Sequence, residues 1–240
     1  MYTSTQKRLT FLLLCFPILF SSCIFSPTTT GSGNVVEEER TIEAFHEITV
    51  SRGINLYVTQ SENTTLRIVA DDNLLKIIET EVIGGELIIR STENVKDAKS
   101  YNVFVSTPEI NFIAAKAGCN VYSETELVST DFNISAAAGT NIRLSVQSET
   151  VEASASSGSN ISIDGLAREF IGRASSGSNL KAEDLKTKNA EVHVSSGANL
   201  WVSTSHSLNA RASSGGNIFY SGNPSETNFS KSSGGNIKPQ

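Results

Sequence analysis

Ser156-Ser157-Gly158-Ser159-Asn160 reads SSGSN, and the pentapeptide returns as SSGSN at 175–179, SSGAN at 195–199, SSGGN at 213–217 and SSGGN at 232–236. The closing asparagines Asn160, Asn179, Asn199, Asn217 and Asn236 are spaced by 19, 20, 18 and 19 residues. Two looser copies precede them, AAGTN ending at Asn141 and KAGCN ending at Asn120, at steps of 19 and 21. Self-similarity at a near-fixed period of this size marks a stacked-repeat architecture. The invariant core of the motif is the pair Gly118/Asn120, Gly139/Asn141, Gly158/Asn160, Gly177/Asn179, Gly197/Asn199, Gly215/Asn217 and Gly234/Asn236. An earlier Gly53-Ile54-Asn55 shares this Gly-x-Asn core but lies 65 residues before Asn120, outside the period.

Around each copy the hydrophobicity alternates. Val192 and Val194 lead into SSGAN, and Leu200 and Val202 lead out; Ile134, Ala136, Ile142 and Leu144 fill the same slots in one unit, Ala153, Ala155, Ile161 and Ile163 in another. Period-two alternation bounded by Gly and Asn predicts strands rather than helices. Each unit therefore reads as strand, tight corner, strand and variable connection, with Gly and Asn tolerating the positive φ of a corner. One such unit cannot bury its apolar face alone, whereas stacked copies can. The expected fold is all-β, a single-stranded parallel β-helix (β-solenoid) with ~19-residue coils. The paired serines are expected to lie in register and to bond along the stack or to nearby backbone. A catalytic-serine reading fails on its signature, since no Gly-x-Ser-x-Gly elbow is present.

The chain has 240 residues, room for one large or two small domains. Its net charge of −6, with no Lys/Arg cluster, argues against a nucleic-acid partner. At the N-terminus, Lys7 and Arg8 precede the apolar run FLLLCFPILF, and SSC ends at Cys23. This is the pattern of a secretory signal, too short to remain as a spanning helix. A cysteine after two serines resembles a bacterial lipobox, with Cys23 as the acylated residue and the membrane as its partner, although Phe20 stands where Leu is usual. The chain divides into a lipoprotein signal peptide (1–22), a flexible polar tether (23–40) and a folded domain (41–240), itself irregular over 41–110 and repetitive over 111–240. Of the three cysteines only Cys119 falls in the folded part, so no intramolecular disulfide is available; in GCN it reads as a tolerated small residue.

From Thr41 the pattern stays β-like but loses the short period. FHEITVSRGINLYVTQ, TLRIVA, GELIIRS and YNVFVS alternate, and between them Asp71 and Asp72 precede Leu74, Leu75, Ile77 and Ile78, which predicts one short helix from about Asn73 to Thr80. This order of segments, followed by repeated Ser-Gly-x-Asn corners over about 41–237, resembles the head GIN domain family of auto-transporter-adhesin-like proteins, common as lipoproteins of Bacteroidota, and Gly53-Ile54-Asn55 matches the motif behind the family's name. The resemblance implies a right-handed β-helix akin to pectin-lyase-type solenoids, an adhesive role in the cell envelope, and no catalytic residues.

The chemistry-bearing residues are few. His193 alternates with Val192 and Val194 and should point outward, while His206 lies in a connection; neither has a Cys or His at metal-ligand spacing, and no metal or cofactor is expected. Asp131, Asp164, Glu169, Glu183, Asp184 and Glu191 fall at different phases of the repeat with no evident ladder. Trp201 occupies an outward slot that one unit later holds Phe219, and in earlier units Lys181, Ser162, Arg143 and Tyr122. Outward aromatics on a flat sheet bind sugar faces or protein partners, which makes Tyr122, Trp201 and Phe219 the candidate surface-binding residues. The expected function is a non-enzymatic envelope lipoprotein that presents a solenoid surface to a protein or glycan. The alternative is a carbohydrate-active enzyme or polysaccharide-binding protein on the same scaffold. At the C-terminus only four residues follow Asn236, and Lys231 takes the slot of Ala174, Val194 and Ala212. With Pro239 it should blunt the open end and favour a monomer or small oligomer over a fibre.

Overall fold

Each pentapeptide forms a corner from two successive left-handed residues. Ser157 and Gly158 have φ of 52° and 72°, Ser176 and Gly177 53° and 71°. The Ser159 N–H closes the turn onto the Ser156 carbonyl at 3.2 Å. This is the pattern of a type I′ turn, which needs positive φ at both central positions. The sequence places the positive φ of the corner on glycine and asparagine; the structure has it on the glycine and the residue before it, and no motif asparagine is left-handed, because each asparagine already begins the next strand. The strain is held by the stack, because the corner glycines from Gly53 to Gly215 donate their N–H to the next coil, Gly158 to the Ser176 carbonyl at 3.1 Å and Gly177 to that of Ser196 at 3.1 Å. The residue between Gly and Asn turns inward, and Cys119, Thr140, Ser159, Ser178 and Ala198 are fully buried there. The hydroxyl bonding expected of the paired serines belongs instead to this fourth position. Ser159 Oγ donates to the Ala136 carbonyl at 2.9 Å and accepts the Ser156 N–H at 3.0 Å, and Ser178 repeats the arrangement one coil on.

The computed structural model describes residues 28–240. The strands Leu127–Ala137, Asn141–Ala155, Asn160–Ala174, Asn179–Val194 and Asn199–Ala212 pair in parallel, each with the next, in a solenoid of about 7 turns. The register is asparagine on asparagine, so inward slots near the corners meet their equivalents in the neighbouring coil, and shifts absorb the unequal coil lengths after Ser162, Ala182 and Thr187. Ile142, Leu144, Ile161, Ile163, Leu180, Leu200 and Val202 are all buried. One inward row holds Phe132, Val151, Phe170 and Ala190 in successive coils, alternating bulky and small side chains in a thin interior.

Gly53-Ile54-Asn55, outside the period in sequence, is inside it in space. Arg52 and Gly53 make the same corner (φ 66° and 76°), and Gly53 donates to the Ala117 carbonyl at 3.0 Å. Strands Glu47–Ser51 and Asn55–Gln60 stack in parallel on Phe112–Lys116 and Asn120–Ser123. Beyond them, Glu86–Ser91 and Tyr101–Thr107 add one more parallel layer. The stack then ends in antiparallel strands: Ile78–Ile83 on Glu86–Ser91, Thr65–Asp71 on Tyr101–Thr107, and Val35–Arg40 on Thr65–Asp71. The period is lost over 61–110 because a cap is inserted there, of the kind an open solenoid end requires.

Three boundaries differ from the sequence expectation. The helix is a 3-10 turn over Asp72–Ile77, and the chain continues from Ile78 as strand. Asp71 does not cap it: its carboxylate accepts the N–H groups of Gly33 at 2.8 Å, Ser100 at 3.0 Å and Lys99 at 3.3 Å. Burial pushes this carboxyl upward, but the three donors outweigh it and hold Asp71 below the usual carboxylate range. Finally, part of the segment read as tether is strand, since Thr28–Thr30 pairs with Asn94–Asp97 and Val35–Arg40 joins the cap. Cys23 and the signal segment 1–22 lie outside the described residues.

At the opposite end the last corner is followed by one short strand, Asn236–Pro239, paired with Asn217–Tyr220. The strand Glu226–Lys231 is exposed throughout because no further coil covers it. Lys231 sits in register with Ala212, and its Nζ donates to the Ile237 carbonyl at 3.3 Å across the open end.

Candidate functional site: an asparagine ladder and the row beside it

The register brings nine asparagines into one line. From Asn55 onward each Nδ2 donates to the Oδ1 of the preceding layer: Asn55 to Asn102 at 3.0 Å, Asn120 to Asn55 at 2.8 Å, Asn141 to Asn120 at 2.9 Å, Asn160 to Asn141 at 3.0 Å and Asn179 to Asn160 at 2.9 Å. Asn199, Asn217 and Asn236 continue it at 3.0, 2.9 and 3.1 Å. The motif asparagine therefore has a structural task beyond corner formation. All eight bonds run the same way, so they polarise one another. Asn217 and Asn236 also donate to the Gly215 and Gly234 carbonyls at 3.5 and 3.2 Å, whereas the amides from Asn120 to Asn199 keep a second N–H and a second lone pair.

Two residues past the ladder runs an outward row, each member directly preceded by a buried residue: Phe104, Tyr57, Tyr122, Arg143, Ser162, Lys181, Trp201, Phe219 and Lys238. Tyr57 lies between Phe104 and Tyr122, stacked on both with centroids 4.7 and 5.4 Å apart, and the Arg67 guanidinium covers Phe104 at 4.2 Å. Trp201 and Phe219 stack at 5.3 Å, with Lys181 Nζ 5.7 Å from the indole centroid. The sequence-derived residues Tyr122, Trp201 and Phe219 thus share one row but form two clusters. Sequence reasoning missed Tyr57 and Phe104. Tyr57 is reached by aligning Asn55 with the later motif asparagines; Phe104 has no corner before it and left no such signal.

Between the clusters lies an open trough of about 360 Å³, lined by Tyr122, Arg143, Ser162 and Lys181 and walled by Asn120, Asn141, Asn160 and Asn179. Arg143 and Lys181 are exposed, and among the described residues neither makes an ion pair. A second trough of about 540 Å³ precedes the corners, along Arg173, His193 and Arg211. There the charges are partly balanced: Arg173 pairs with Glu152, and His193 Nε2 lies 3.0 Å from Glu191. The hydrogen bond from His193 holds Glu191 below the usual carboxylate range. His206 is exposed beside Ser225 Oγ at 3.1 Å. The acidic residues are less scattered than their phases suggest, since Asp164 and Asp184 are register partners on adjacent coils, both exposed. Burial pushes the Cys119 thiol up to about 11, which leaves it un-ionised at neutral pH.

A family model described as "Putative auto-transporter adhesin, head GIN domain" matches residues 44–224. The chain belongs to the head GIN domain family. Among solved structures, this head GIN chain is similar to a "putative adhesin" from Bacteroides fragilis, 21% identical, with a TM-score of 0.83 over 88% of this chain and 100% of that one. It is also similar to a "putative lipid binding protein" from Parabacteroides distasonis, 20% identical, with a TM-score of 0.71 over 89% and 99% of the two chains. A "putative adhesin" from Parabacteroides merdae is 15% identical, with a TM-score of 0.65 over 90% and 100%. These likenesses concern the fold. Among curated proteins no relative matches. No helix among the described residues is long and apolar enough to cross a membrane.

Proposed function

We propose that this head GIN protein is a non-enzymatic, lipid-anchored module of the cell envelope that binds its ligand on the outward row beside the asparagine ladder. The observation that carries the reading is the row itself. Five half-buried aromatic side chains, Phe104, Tyr57, Tyr122, Trp201 and Phe219, are held in register on a rigid sheet instead of being scattered. Rigid aromatics order at little entropic cost, which makes them good anchors for a sugar or protein face. The adhesin description of the family supports the same reading. A glycan array and a pull-down with the full chain test it. Tyr122→Ala with Trp201→Ala should weaken the captured interaction by about tenfold or more in a variant that still unfolds cooperatively, its melting temperature lowered only by the loss of two half-buried stacked rings. Undiminished binding by that variant rules the row out, and release of shortened glycans by the wild type would return the enzyme reading.

The anchor is a separate part of the proposal. It rests on Cys23 after an apolar run and two serines. Cys23→Ser should move most of the protein from the membrane to the soluble fraction and abolish incorporation of labelled fatty acid. Unchanged partitioning and unchanged label would remove the lipid from the account.

A further inference from the structure

We infer that the ligand of the row is a linear anionic polysaccharide, lying along the stack with its acidic groups at Arg143 and Lys181 and its sugar faces on Tyr122 and Trp201. This rests on the row being the binding surface, as proposed above.

Charge is the first argument. The chain as a whole carries −6, yet the row contains three cations, Arg143, Lys181 and Lys238, and no acid. In the second trough Glu152 pairs with Arg173, and Glu191 lies against His193 with Arg211 near by. Here the exposed register partners Asp164 and Asp184 stand beyond the row on adjacent coils, and neither forms an ion pair with Arg143 or Lys181. Two cations without an ion-pair partner, either side of a serine hydroxyl, favour an anion between or above them.

Spacing is the second. Successive layers carry aromatic, cation, hydroxyl, cation and aromatic. At about 4.8 Å per layer, the cations lie about 10 Å apart and the aromatics that bracket them about 19 Å apart. A ring of an extended pyranose chain advances by roughly one layer. In a two-fold ribbon, equivalent substituents face the same side at every second ring, which matches cations on alternate layers.

The wall of the trough supplies the third. The spare N–H groups and lone pairs of the ladder amides repeat once per layer, beside where ring hydroxyls would lie. An acidic peptide would find no matching backbone partners, because on this face the main-chain groups are spent between coils.

The test is binding of the full chain to polygalacturonate, chondroitin sulfate, a neutral β-glucan oligomer and polyglutamate, at low and high salt. The expected result is salt-sensitive binding to at least one acidic glycan, with the first two probes separating carboxylate from sulfate. Arg143→Gln with Lys181→Gln should cost about tenfold or more in affinity and flatten the salt dependence. Arg143→Lys with Lys181→Arg should retain most of the binding. Both pairs are on the surface, and unchanged melting will show that they fold. If the neutral glucan binds as well as the acidic chains and the double Gln variant binds normally, the anion inference fails while the binding surface stands. If neither the charge variants nor Tyr122→Ala with Trp201→Ala alter any binding, both fail. Equal or tighter binding to polyglutamate would point to an acidic protein and overturn the polysaccharide.

Discussion

Phe170→Ala should lower the unfolding free energy by about 3–5 kcal/mol, the usual range for emptying a fully buried phenyl site. Phe170 is 1% exposed and, with Phe132, the largest fully buried side chain. Its ring lies where Gly172 has no side chain: a Cβ on Gly172 would stand 2.8 Å from the Phe170 ring and 3.0 Å from Leu200 Cδ1. The coil walls on either side of this layer are tied by parallel ladders to both neighbouring coils, so they are poorly placed to collapse into the void. Phe170→Ala with Gly172→Ala should therefore recover part of the loss, by refilling space and removing a flexible glycine. Chemical denaturation of the wild type, the single and the double variant checks both statements. A loss under about 1 kcal/mol would mean that the interior relaxes around the missing ring.

Gly165→Ala should cost about 3 kcal/mol, more than asparagine at the corner glycine Gly177. Gly165 has φ of +114°, and a Cβ there would lie 2.0 Å from the Val146 carbonyl oxygen of the preceding coil. The obstacle is backbone, so no rotamer change relieves it. Gly177 is the instructive comparison. Its φ of +71° is also left-handed, but a Cβ would meet nothing within 4 Å. Gly177→Val then adds backbone strain alone, about 1–3 kcal/mol, and Gly177→Asn should cost less still because asparagine tolerates that conformation. Equal melting temperatures for Gly165→Ala and Gly177→Asn would show that inter-coil crowding at Gly165 does not limit stability.

The repeat half was legible because each layer repeats one local solution. A left-handed pair, an inward small residue and an asparagine at a period of 18 to 21 leave a strong imprint. The candidate row was half legible for the same reason: Trp201, Phe219 and Tyr122 carry the same offset from a motif asparagine. What was hidden depends on contacts across the cap. Asn55 bonds to Asn120 over 65 residues, and Asn102 to Asn55 over 47. No period connects them, since the segment between turns back as antiparallel strands to close the end. The strand Val35–Arg40 was read as tether because four of its six residues are charged. It is an edge strand, where Arg40 bonds the Ile78 and Leu75 carbonyls and Arg67 reaches Glu37; charges are at home on such an edge.

The asparagine register has a consequence for how such a surface changes over time. Every coil contributes one member to each surface row at once, so the distance between two groups on a row is a whole number of layers, in steps of about 4.8 Å. Losing residues 161–179 would remove one full turn, from one motif asparagine to the next, and let Asn160 take the place of Asn179 on the ladder. Tyr122 and Trp201 would then be one layer closer and Arg143 and Lys181 adjacent, with only Ser162 lost from the row. Duplicating the same stretch would part them by one layer. Ligand length is thereby open to discrete adjustment through the number of turns, while affinity at each contact is tuned separately by single substitutions.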